Sequence, residues 1–160
     1  MKVAVIDRRR EGRIDQVRLK VLVRYFMQRV ARIASSPTWE TLNVVLVDDA
    51  MIRSINASFL HHDDATDVIA FTYAPVPGAE PGATGELVIN VERAQRIGHR
   101  YGGPDRELAL YVAHGCDHLS GADDATPVER RRMRARECRW LRSRRVRGTM
   151  RGLIRRKTSR

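Results

Sequence analysis

Residues 112–124 read VAHGCDHLSGADD, and their spacing decides what kind of chain this is. On a helix, His114 and His118 lie four residues apart and stack on one face, close enough to share a metal ion. Leu108, Tyr111, Val112, Gly115 and Leu119 form an apolar stripe along the same helix. The two histidines sit on its flank, roughly 75–115° from the stripe's centre, where a cleft edge would be. Gly121 then releases the chain from the helix and lets it turn back, bringing Asp123 or Asp124 toward the rings. Two imidazoles and a carboxylate leave a fourth position open for water, the mark of a catalytic rather than a structural zinc site. Zinc bound there would bring that water's pKa to roughly 7. Metallopeptidases of the H-E-x-x-H type carry a glutamate base directly after the first histidine. Here that position is Gly115, which disfavours peptide hydrolysis. Asp117 is a carboxylate on the same helix, read either as a partner orienting a histidine or as a solvated acid.

Working outward, Pro104 suits the first position of the histidine helix, which follows a helix over residues 91–101 ended by Gly102 and Gly103. Downstream, Thr126-Pro127-Val128-Glu129 has the form of a capping box and starts a last helix to about Arg144. Upstream, residues 2–7, 42–47, 68–73 and 87–90 read as strands, and 74–84 as a Pro/Gly-rich loop. Helices are expected from Asp15 as N-cap to about Ala34, and from Asp48 or Asp49 to about Phe59. Helices and strands mix without regular βα alternation, which favours an α+β domain.

The chain has 160 residues, 42% hydrophobic and 31% charged, a composition that fits one globular domain. No apolar run approaches the ~20 residues that span a bilayer, and the apolar stretch 3–6 is too short for a signal peptide core, so the cytoplasm is expected. Cys116 and Cys138 are expected as buried small residues without a disulfide partner. Residues 128–160 hold 15 Lys and Arg against 2 Glu, a net of +13, while the first 127 residues sum to −2. Such a density of charge attracts polyanions, structured RNA foremost. The expected organisation is a hydrolase domain over 1–147 and a basic tail over 148–160 with little to bury.

Taken with three further segments, the histidine stretch resembles the YbeY family, bacterial endoribonucleases and ribosomal RNA maturation factors. HGCDHLSGADD resembles that family's H-G-x-L-H-L-x-G-Y-D-H. VVLVDD (44–49) with Ile55-Asn56, DDATDVIAF (63–71) and GELVIN (85–90) resemble its other segments in the same order, and Arg106-Glu107-Leu108 matches its lead-in to the histidine helix. The resemblance covers about residues 40–141. It implies a single α+β, metalloprotease-like domain, a small mixed sheet against several helices, with one Zn2+ per chain. It also implies single-strand RNA cleavage in late 16S rRNA 3′-end maturation and ribosome quality control, with the small ribosomal subunit as partner. Carried over by position, His114 and His118 are metal ligands and Asp124 stands where the family has a third histidine. Aspartate there adds a negative charge, making bound water less acidic and shifting preference toward harder ions. Leu60 stands where the family carries an arginine, and Ala65, Ala70, Asp117 and Ala122 replace its Pro, Ser, Leu and Tyr. Asp67, Asp117 and Asp123 are the candidates for general acid or base. The competing reading is a non-catalytic RNA- and ribosome-binding assembly factor with a degenerate metal site.

Overall fold

The computed structural model describes residues 1–10, 12–32, 38–73 and 82–155. In chain order the elements are β1 (Lys2–Asp7), β2 (Arg13–Ile14), α1 (Gln16–Val30), β3 (Trp39–Val47), α2 (Asp49–Leu60), β4 (Val68–Tyr73), β5 (Ala83–Asn90), α3 (Val91–Gly98), α4 (Pro104–Leu119), α5 (Pro127–Leu141), α6 (Arg144–Met150) and β6 (Ile154–Arg155). The main sheet runs β1-β3-β5-β4, with β1, β3 and β5 parallel and β4 antiparallel to β5. This is the expected α+β arrangement of a small mixed sheet among helices.

The strands alternate as a sheet covered on both faces requires. Leu42, Val44 and Leu46 of β3, Leu87 and Ile89 of β5, and Val68 of β4 enter the main core with α1 and α4. Val47, Val88 and Ile69 face the other way, onto Ile52 of α2. Within α4, every residue from Glu107 to Leu119 is buried except His114 and His118. A helix buried nearly all round is a core helix. The two histidines are thus its only openings over that span.

Capping follows the sequence closely. Asp15 accepts from the Arg18 N–H, Asp48 from that of Met51, and Thr126 and Glu129 form the reciprocal box expected of them. The differences have local causes. Strand β5 begins at Ala83 rather than Leu87. Its Gly85 leaves room for close packing, since a Cβ there would stand 2.8 Å from Leu42 Cδ1 and 3.0 Å from Trp39 Cζ3. Helix α3 stops at Gly98, not residue 101, because Gly98 lies against Pro104, whose Cα would be 2.7 Å from a Cβ. The last helix breaks at Ser143, which caps α6 by accepting from the Val146 N–H. Residues 74–81 of the expected loop and residues 33–34 at the end of the first expected helix lie outside the described residues.

Of the expected tail, residues 156–160 lie outside the described residues, and residues 149–155 depart most from expectation. Leu153 is fully buried, and β6 pairs antiparallel with β2. The Asp105 carboxylate accepts from the N–H groups of Gly152 and Ile154 at 2.8 Å each. Val146, Met150, Leu153 and Ile154 make an apolar series that the surrounding arginines mask in the sequence. Cys116 is buried and Cys138 half-buried, both as free thiols. Among the described residues no helix is long and apolar enough to cross a membrane. Because Leu153 fills a core position, Leu153→Ala is expected to destabilise the protein by about 2–5 kcal/mol in denaturant unfolding. A loss indistinguishable from zero would mean that the segment only rests on the surface.

Candidate metal centre

His114 and His118 occupy successive turns near the C-terminal end of α4, and each ring is held from behind. Glu137 of α5 accepts from His114 Nδ1 at 2.7 Å, and the Ala122 carbonyl accepts from His118 Nδ1 at 3.0 Å. Both partners are acceptors, so each Nδ1 donates and each ring turns its Nε2 toward the other. Those two Nε2 atoms face each other at 3.1 Å. Asp124 completes the group, with Oδ2 at 3.7 Å from His114 Nε2 and Oδ1 at 4.0 Å from His118 Nε2. One donor atom from each of the three residues falls within 4.8 Å of the others. Two imidazole nitrogens on one tetrahedral ion with ~2.0–2.1 Å bonds would lie about 3.3 Å apart, so the donor set fits a divalent cation.

The electrostatics agree. Burial works against a charge on His114, but the hydrogen bond and charge of Glu137, with the charges of Asp67 and Asp124, outweigh it and raise the ring's pKa. The same negative surround that favours a proton on the ring favours a cation between the rings.

The turn after α4 is built to aim Asp124. Gly121 takes φ +83°, a left-handed conformation that favours glycine. Asp123 uses its own carboxylate locally, accepting from the N–H groups of Asp124 at 2.7 Å and Ala125 at 3.2 Å. Asp67 lies just before β4; its Oδ1 accepts from Thr66 Oγ1 and the Val68 N–H. Asp117 is fully buried and paired with Arg136 at 2.6 Å, so it is neither the solvated acid nor the histidine-orienting group expected. Its carboxyl is pushed up by burial and drawn down by the Arg136 guanidinium, with a net rise. The orienting role falls instead to Glu137. Adjacent residues Arg136 and Glu137 grip α4 at Asp117 and His114, one by each sign of charge. Only a carboxylate buried within an arginine-rich helix could have signalled Glu137, and burial is not written in the sequence.

Gly115 also acquires a reason. A Cβ there would meet Leu87 Cδ2 at 2.8 Å and Val68 Cγ2 at 2.9 Å. The helix presses on β4 and β5 at this point, and no glutamate base could occupy the position.

A mixed α+β domain with two histidines on one buried helix and a carboxylate from the turn after it defines a class of proteins with a part-buried candidate cation site. Its family follows from comparison with known proteins. Residues 5–144 match the family described as Endoribonuclease YbeY, and the chain belongs to that family. Proteins named Endoribonuclease YbeY from Elusimicrobium minutum (strain Pei191) and Salinibacter ruber (strain DSM 13855 / M31) are 42% identical over 94 residues and 34% identical over 125 residues. These matches take in 58% and 74% of this chain and 66% and 79% of those proteins. The match to the Myxococcus xanthus (strain DK1622) protein of the same name, 39% identical over 99 residues, takes in 60% of this chain and 34% of that protein. The chain thus spans just under two thirds of one of these curated relatives and about a third of another. The solution structure of TM1509 from Thermotoga maritima shares the fold, with a TM-score of 0.57 at 21% identity, covering 94% of this chain and 92% of that one.

Glu137→Gln is expected to weaken divalent-metal affinity by about 10–100-fold, the usual effect of losing a carboxylate behind a histidine ligand. Competition against a chromogenic chelator reads this directly. Unchanged affinity would show that Glu137 does not support the centre.

Proposed function

We propose that this chain is a metal-dependent endoribonuclease that cuts single-stranded RNA phosphodiester bonds in the cytoplasm. The observation that carries this is the convergence of His114 Nε2, His118 Nε2 and the Asp124 carboxylate, with both rings fixed from behind. The names of the relatives support RNA as substrate. The finer reading is one Zn2+ per chain and a place in late 16S rRNA 3′-end maturation and ribosome quality control, with the small ribosomal subunit as partner.

A divalent ion held by His114, His118 and Asp124 would supply Lewis-acid polarisation of a phosphoryl oxygen and a more acidic water. Glu137 keeps the His114 ring in one tautomer and one orientation, so that Nε2 stays available. Ala122 does the same for His118. Of the three candidate acids we assign proton transfer to Asp67, whose Oδ2 accepts no hydrogen bond among the described residues and whose charge reaches His114. Asp123 serves the turn that aims Asp124. Asp117 anchors Arg136, and through it the α5 register that places Glu137.

The non-catalytic assembly-factor reading rests on Leu60 and on aspartate as the third donor. It predicts that Asp124→Ala still supports ribosome maturation in a deletion strain, whereas catalysis predicts failure. Metal analysis of the wild type should find about one divalent ion per chain. His118→Ala should lose both the ion and cleavage of a ribosomal RNA fragment. A wild-type protein that cuts RNA equally well after chelation would sink the metal-dependent mechanism.

A further inference from the structure

At the end of α4 remote from the histidines lies an open pocket of about 850 Å3, lined by Arg106, Arg147, Arg151 and Arg155 with Asp105 and the glycines 102 and 103. Ten residues of helix separate Pro104 from His114, about 15 Å of rise, so this pocket is not the metal centre. Four guanidiniums border it against one carboxylate, and that carboxylate is already accepting from Gly152 and Ile154. Arg155 pairs with Asp15, and Arg106 donates to the Tyr101 carbonyl. Arg147 and Arg151 are exposed and have no acidic partner among the described residues. Like charges gathered round one concavity repel, and an anion placed among them relieves that repulsion.

The backbone adds to the same field. Helix α4 carries no side-chain N-cap, and the N–H groups of Asp105 and Arg106 have no partner among the described residues. The positive end of a 16-residue helix therefore lies in the pocket wall. Among the described residues no Phe, Tyr or Trp lines the pocket, and His99 is its one aromatic ring beside four guanidiniums. Forked guanidiniums around an open cavity suit phosphate oxygens without regard to sequence. Arg147, Arg151 and Arg155 all lie beyond residues 5–144, the part that matches the family.

We propose that this pocket is a phosphate-binding subsite for the RNA backbone, which docks the strand away from the metal centre. The choice of RNA as the source of phosphate rests on the nuclease reading; the anion site itself does not. Two phosphates held by Arg147 and Arg151 would contribute about 1.4 to the slope of log affinity against log salt for a single strand.

The test uses the full chain and a single-stranded 2′-O-methyl RNA oligonucleotide, which resists cleavage, with affinity followed by fluorescence anisotropy over a salt series. The double variant Arg147→Ala/Arg151→Ala should bind about tenfold more weakly at moderate salt and show a slope lower by about 1.4. Arg139→Ala/Arg142→Ala removes two exposed arginines outside the pocket and should change both quantities much less. Equal effects from the two pairs would mean diffuse attraction and would overturn the subsite. So would an unchanged slope, competition by inorganic phosphate or a mononucleotide as strong as by the oligonucleotide, or a preference for an acidic peptide over RNA. If the double variant fails to fold by circular dichroism, Arg151→Ala alone carries the comparison with about half the slope change. In a His118→Ala background the Arg147→Ala/Arg151→Ala pair should still lower the slope by about 1.4. Failure of the nuclease reading would therefore leave the anion site standing, and failure of the subsite would leave the metal centre standing.

Discussion

Helix α4 is seated on the sheet through Gly115, and the remainder of the centre takes its position from that contact. With the helix backbone close against Leu87 and Val68, every side chain from Glu107 to Leu119 is buried except the two histidines. The close approach aims His114 and His118 out of the core along one line. A larger residue at 115 would lift the helix off β4 and β5 by the depth of its Cβ, and overpacking of this kind typically destabilises a core by about 1–3 kcal/mol. Specificity of chemistry follows from the same contact, because the position that holds a catalytic glutamate in H-E-x-x-H proteins is here occupied by the sheet.

Helix α5 supplies the second constraint. Arg136 and Glu137, neighbours in sequence, reach Asp117 and His114 with opposite charges. The pair fixes α5 against α4 in one register, since a shift of one residue would set like charges together. Asp117 can be buried because Arg136 meets it, and Glu137 can be buried because an imidazole N–H meets it. The chain after α5 then returns to the other end of α4, where Asp105 ties down residues 152 and 154. One helix therefore organises both the candidate metal centre at its C-terminal end and the arginine-lined pocket at its N-terminal end.

Much of this was legible in the sequence, for physical reasons that differ by element. The four-residue histidine spacing, the turn glycine at 121 and the Thr126–Glu129 box depend on local geometry, and local geometry is written in short windows. The mixed α+β architecture followed from the order of periodic segments. Asp117 stayed open between a solvated acid, a partner for a histidine and a candidate acid or base, because the arginine that covers it lies 19 residues away. Glu137 was invisible for the same reason, 23 residues from the ring it holds. The C-terminal segment was hidden by its composition: arginine density signals a solvated tail, while the few apolar residues that dock it are spread over 146–154.

The central claim is that His114, His118 and Asp124 bind one divalent cation together. X-ray absorption spectroscopy of the zinc-loaded protein measures it most directly. The account predicts scattering from two imidazoles and from oxygen ligands at about 2.0–2.2 Å, with one imidazole lost in His114→Ala and an oxygen replaced or lost in Asp124→Ala. A zinc environment rich in sulfur, or one indifferent to both substitutions, would contradict it.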